Sequence, residues 1–130
     1  MINSMDDIRL YWTAELLDIL PADFEQYCAR AARRARQRII KCIGREAMQD
    51  AESESPENPE RAEAVKDAEI EFMHVYVLEH LWRQKAAGAE RDIQLPNGLR
   101  VTLQAVSGDD FKHLIQTHVA NAETTLAEYI

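Results

Sequence analysis

Glycine and cysteine are scarce in this chain, at four and two of 130 residues. Four glycines leave no room for a phosphate-cradling loop, and none of the Gly-rich nucleotide fingerprints occurs. No Gly-x-Ser-x-Gly elbow is present, so that route to a nucleophilic serine is closed. Cys28 and Cys42 do not form a Cys-x-x-Cys pair, and neither has a histidine beside it in sequence. If one helix carries both, its rise separates them by roughly 21 Å, far beyond disulfide reach. They read as small core residues in a reducing compartment. The opening residues, Met1 to Asp7, lack the basic and apolar regions of a secretion signal. The longest near-apolar run, Phe72 to Leu78, is too short to span a bilayer and contains His74. Cytoplasmic synthesis and no membrane partner are therefore expected.

Positive charge is also in deficit. Lys and Arg number 15 against 23 Asp and Glu, giving a formal net charge of -8. That balance argues against whole-surface binding of nucleic acid or anionic lipid. The hydrophobic fraction of 46% is ordinary globular usage, and the length fits one domain spanning 1-130.

What is present is helical periodicity. Ser4 is a plausible N-cap for a first helix reaching about Leu20, with Ile8, Trp12, Leu16 and Ile19 as its apolar stripe. Pro21 starts a second helix, which ends before Gly44; Phe24, Cys28, Ala31, Ala35, Ile39 and Cys42 line its apolar face. From Arg45 to about Glu63 acidic residues, serines and two prolines predict a mobile acidic loop. A third helix is expected from about Pro59 to Ala87, apolar on almost every side between Ile70 and Trp82, and hence central. Asp92 to Leu95 and Leu99 to Leu103 alternate in the strand period around Pro96-Asn97-Gly98, a hairpin turn. Ser107 and Asp110 form a capping box for the last helix, expected to run to Ile130. The fold class is mainly α: a bundle of about four helices with one small β-hairpin between the third and fourth.

The most conspicuous chemical feature is the basic run of the second helix. At roughly 100° per residue, Arg30, Arg34, Arg38, Lys41 and Arg45 make one ridge, mostly opposite the Cys28–Cys42 stripe. The ridge is the candidate interaction surface, for phosphates or an acidic partner; its plainer reading is a solvated face. Glu71 and His74, and Asp110 and His113, have the Glu-x-x-His spacing of di-iron bundles. Such a site needs two further glutamates, and Glu15 and Glu25 are the obvious donors. The plainer reading is ordinary polar helix positions. His118 sits on the apolar stripe of the last helix, as a satisfied core or interface histidine. Trp12 and Trp82 are expected in the core, with either able to anchor an interface. No catalytic residue, metal ligand or cofactor is assigned.

The order of elements carries one resemblance. A short helix leads into a Pro-initiated helix with an Ala- and Arg-rich body, from Pro21-Ala22-Asp23-Phe24 through Ala29 to Ile40. A loop, a long apolar helix from Ala68 to Leu81, a Gly-turn hairpin and a terminal helix follow. This order resembles the head–tail connector, or adaptor, proteins of tailed bacteriophages and prophages, over most of the chain. The resemblance implies a structural, non-enzymatic subunit that self-associates into a ring. The ring would bind the portal protein and tail-side completion proteins, with DNA passing through without sequence-specific contact. It also implies assembly in the host cytoplasm and residence at the head–tail junction of the virion. Two other readings stay open on the residues. One is a small intracellular regulatory protein binding nucleic acid or an acidic partner through Arg30–Arg45; the other is a di-iron helical bundle.

Overall fold

A computed structural model describes residues 1–95 and 98–130. The chain is a mostly helical bundle with one two-stranded antiparallel hairpin after its fifth helix. Among the described residues the helices are α1 (Met5–Arg9), α2 (Ala14–Leu17), α3 (Pro21–Ile43), α4 (Arg45–Glu52), α5 (Pro59–Ala86) and α6 (Gly108–Leu126). The strands β1 (Asp92–Gln94) and β2 (Arg100–Thr102) lie between α5 and α6.

The expected first helix is divided in two. Ser4 and Asp7 cap α1 reciprocally, with Ser4 Oγ accepting from the Asp7 N–H at 3.2 Å. The helix stops after five residues, and Thr13, extended, caps a new helix through its hydroxyl. Asp18 then closes α2 in the left-handed region, φ 53. This break buries Leu17 rather than Leu16 and brings Ile8 and Trp12 into the core.

Pro21 at the first turn opens α3, as its fixed φ favours. Gly44 ends α3 and begins α4, with φ 87 and ψ 165, a conformation open to glycine and strained for other residues. The acidic loop expected at 45-63 is therefore corrected. Its first part is α4, whose Ala47, Met48 and Ala51 are buried, a short apolar face inside the acidic sequence. The connector that remains, 53–58, is tethered by Asp50. Its carboxylate accepts from the Glu57 N–H at 2.8 Å, the Asn58 N–H at 3.2 Å and Arg61 Nη2 at 2.9 Å. Those bonds hold the Asp50 carboxyl below its ordinary pKa, the Glu57 N–H contributing most.

The central position expected of the apolar helix belongs to α5, which packs on α3, α4 and α6. Val65, Ala68, Met73, Leu78 and Leu81 are almost wholly enclosed. Each large aliphatic side chain so buried contributes about 1.5–3 kcal/mol relative to exposure. Ala31, Ala32 and Ala35 are buried on α3, small enough for close approach of a neighbouring helix. Arg38 meets Phe72 and Arg34 meets Tyr76, so α3 and α5 run antiparallel. Trp82 stacks on Phe111 and His118 reaches Glu71, so α6 also runs antiparallel to α5.

The strands pair Asp92 with Thr102, Ile93 with Val101 and Gln94 with Arg100. Ile93 and Leu95 turn inward, as the two-residue period requires. Of the expected turn, Pro96 and Asn97 lie outside the described residues, and Gly98 has φ 85. Ser107 and Asp110 form the capping box of α6. That helix ends at Leu126, and a 3₁₀ turn, Ala127–Tyr129, follows it toward Ile130. Trp82 is not a core residue: it is 37% exposed, with one face on Phe111 and its edge near Gly108.

Candidate functional site

Three groups of polar side chains stand out, two inside the bundle and one on its surface.

The first surrounds Glu69, which is only 1% exposed in the middle of α5. Its carboxylate accepts from the Ile2 N–H at 3.0 Å, the Asn3 N–H at 3.0 Å and Asn3 Nδ2 at 3.1 Å. Asn3 Nδ2 also donates to the Lys66 carbonyl at 2.9 Å. A buried carboxylate is tolerated only when it is hydrogen-bonded, and here the N-terminal segment supplies three donors. The arrangement fastens residues 2–3 to the central helix. The helical period of the sequence gave no sign of it, because the partner lies more than sixty residues away.

The second group joins α5, α6 and the α1–α2 turn. His118 Nδ1 lies 2.6 Å from Glu71 Oε2; a carboxylate only accepts, so Nδ1 carries the hydrogen. The His74 ring stands edge-to-face against His118 at 4.6 Å and against Trp12 at 4.6 Å. Tyr11 touches it too, at 5.2 Å. His74 is 4% exposed, and its Nδ1 has no hydrogen-bond partner. Burial, with a smaller contribution from His118, pushes its pKa down to about 3. A neutral, aromatic-walled His74 behaves as a core ring.

The Glu-x-x-His pattern is thus spent internally. Glu71 engages His118, and Glu15 and Glu25 are exposed on other helices. Asp110 is occupied in the capping box, and His113 is exposed. Among the described residues, no group of three or more His, Cys, Asp or Glu is placed to hold a metal ion. Cys28 is buried, and desolvation pushes its thiol up to about 11, the direction that suppresses a nucleophilic thiolate. Desolvation raises Cys42 as well. A recess of about 440 Å³ lies open between the N-terminal segment, α5 and α6. Lys66, Asp67 and Glu71 on its wall do not form a nucleophile–base pair.

The third group is the basic ridge. Arg30, Arg34, Arg38 and Lys41 lie along one side of α3, all exposed, and Arg45 opens α4. Their setting differs from the sequence expectation in one respect. The ridge borders the α3–α5 groove rather than opposing the core. The Arg34 guanidinium lies over the Tyr76 ring at 5.5 Å and Arg38 over Phe72 at 5.6 Å. Aromatic rings broaden α5 at that level, so residues flanking the α3 stripe reach them. Beside them a recess of about 300 Å³ is lined by Arg38, Lys41, Cys42, Phe72 and Glu123. Among the described residues, none of the five ridge cations has a carboxylate within ion-pair distance. Arg36, on the opposite flank, contrasts with them: it grips Glu52 through Nε and Nη2 at 2.9–3.2 Å.

What this ridge can do chemically is bind carboxylate or phosphate oxygens. A guanidinium stacked on a ring keeps its N–H edges free and loses little further freedom on binding. No protein-family model, no curated protein and no solved structure matches the chain.

Proposed function

We propose that this chain is a structural subunit of the head–tail connector of a tailed phage or prophage, working by assembly rather than by catalysis. The observation that supports it best is the incomplete sheet. Among the described residues β1 and β2 pair only with each other. Both outer edges of such a ribbon present backbone donors and acceptors, and two strands are marginal alone. A neighbouring subunit completes them. The order of elements that carries the resemblance points to the same class. In this reading the subunits form a ring between portal and tail-side completion proteins, and DNA passes through a mostly acidic channel without sticking.

The test is recovery of the tagged protein from its host after prophage induction, with fractionation by size and mass spectrometry of its companions. Particle-sized fractions holding a portal-sized ring protein are expected. Recovery solely as a small free species overturns the reading.

A second reading rests on the uncompensated ridge: a small regulatory protein that binds nucleic acid through Arg30–Arg45. It requires tight, salt-sensitive binding of duplex DNA that is weakened by Arg34→Glu with Arg38→Glu.

A further inference from the structure

We infer that the ridge of Arg30, Arg34, Arg38 and Lys41 docks the acidic connector between α4 and α5 of a second copy of this chain. The inference rests on the assembly reading above and names the surfaces that meet.

Two oppositely charged surfaces are built into one subunit; Glu79 and Glu123 line recesses beside the ridge, but among the described residues no carboxylate forms an ion pair with its cations. Glu54, Glu57, Glu60 and Glu63 are exposed along the connector and the first turns of α5. Among the described residues no cation lies within ion-pair distance of any of them. Asp50 and Glu52, the neighbouring acids that are paired, face Arg61 and Arg36 instead. The bonds from Asp50 to the Glu57 and Asn58 N–H groups and to Arg61 fasten the connector to α4 and α5. Glu52 meets α3 through Arg36, on the flank away from the ridge. A segment fixed there does not fold across its own α3, so the complement for the ridge comes from another molecule.

The ridge is shaped for side-chain carboxylates. Arg34 and Arg38 are already laid on Tyr76 and Phe72, with guanidinium edges available for paired N–H···O bonds. The recess beside Arg38 and Lys41 gives a carboxylate stem an apolar floor on Phe72, with Glu123 on its rim, so an incoming carboxylate is held by the two cations against that one acid. Duplex DNA is the competing polyanion. The net charge of -8 repels a uniform phosphate lattice, whereas a protein partner places its few acids only where cations wait. Ridge and connector are different surfaces, so the contact is head-to-tail. Every open oligomer keeps one ridge and one connector free; a closed ring satisfies both, and without closure a filament grows.

The experiment is sedimentation velocity of the full chain at about 50 mM and about 500 mM salt, which shortens the screening length several-fold. Oligomers at low salt that dissociate at high salt are expected. Arg34→Glu with Arg38→Glu, and separately Glu57→Lys with Glu60→Lys, are each expected to weaken association by about a hundredfold or more, since like charges then face each other. All four changes in one chain restore it, because attraction is re-formed with the signs exchanged. Melting curves of each variant report whether it is folded. A wild-type chain that stays monomeric at every concentration, association indifferent to either reversal, or reversals that fail to rescue each other overturns the inference. So does salt-sensitive duplex binding at the ridge of a chain that remains monomeric. A ridge variant still recovered in phage particles defeats this interface and leaves the connector reading intact. Salt-sensitive oligomers from a protein never found in particles do the reverse.

Discussion

On α5, Glu69 accepts three hydrogen bonds from residues 2 and 3 and is almost wholly enclosed. On α3, four cations are exposed, and among the described residues none has a carboxylate within ion-pair distance. The two regions carry charge for different ends. An enclosed carboxylate costs several kcal/mol unless every lone pair is used, so its partners are fixed by the fold. An exposed guanidinium is stable alone in water, so its partner need not belong to the chain. Charge in the interior of this bundle therefore specifies how its own segments dock, and charge on its surface is left for another molecule.

The largest effect is expected at Glu69. Glu69→Ala leaves the Ile2 and Asn3 donors without their acceptor in an enclosed place, and should destabilise the fold by about 3 kcal/mol in urea unfolding. Asn3→Ala, which spares the two backbone bonds, should cost about 1 kcal/mol. Exchange of the residue 2–3 amides should quicken in both. A Glu69→Ala loss below about 1 kcal/mol would mean that the N-terminal segment does not depend on this carboxylate.

Next comes pH, through His74. Its folded pKa of about 3 lies below the ordinary imidazole value, so the unfolded chain takes up a proton that the folded chain refuses. More protons on the unfolded state means stability that rises with pH. The His74 contribution is intact above the unfolded pKa near 6.5 and is lost progressively as pH falls from there toward 3. Between pH 7 and pH 5 a loss of about 2 kcal/mol is expected. His80, lowered chiefly by burial, acts in the same direction. Asp7 and Asp50 are lowered from 3.8, so their effects fall below this window. His74→Phe should flatten the slope; an unchanged slope would place the proton-linked transition elsewhere.

Gly44→Ala tests the joint between α3 and α4. An added Cβ meets nothing within 4 Å, so the cost is backbone conformation alone, at φ 87. About 1–2 kcal/mol is expected in thermal or urea unfolding. A neutral result would mean that the two helices readjust without that dihedral.

How legible all this was in the sequence follows from the range of each interaction. Pro21, Gly44 and the Ser107–Asp110 box act within a turn of their own position, and they delimit helices as expected. The all-round apolar stretch of α5 marked the central helix for the same kind of reason. The break after α1 escaped because Ile8, Trp12, Leu16 and Ile19 fit one continuous stripe, while the Thr13 cap that interrupts it is a single hydroxyl. Helix α4 escaped because its Ala47, Met48 and Ala51 face is short and set among acids. The docking of Asn3 on Glu69 and of His118 on Glu71 joins distant positions, and no local pattern encodes such pairs. The cations of the ridge were legible one by one. Their place beside Phe72 and Tyr76 was not, since it depends on how α3 is rotated against α5.

The smallest expected effect on stability bears most directly on the division between interior and surface charge. Arg34→Ala with Arg38→Ala removes two guanidinium–ring contacts at an exposed edge, each worth about 0.5 kcal/mol at such sites. The aliphatic stems also cover part of Phe72 and Tyr76, a further small loss. The summed change in unfolding free energy should stay near 1 kcal/mol, well below that of Glu69→Ala. Association should nevertheless be lost, because the same edges are the ones that meet the connector of the next copy. If the double variant instead unfolds as readily as Glu69→Ala, the ridge is a structural brace of the α3–α5 groove. The contrast between interior and surface charge then fails, since the groove would need those cations to hold its own helices together.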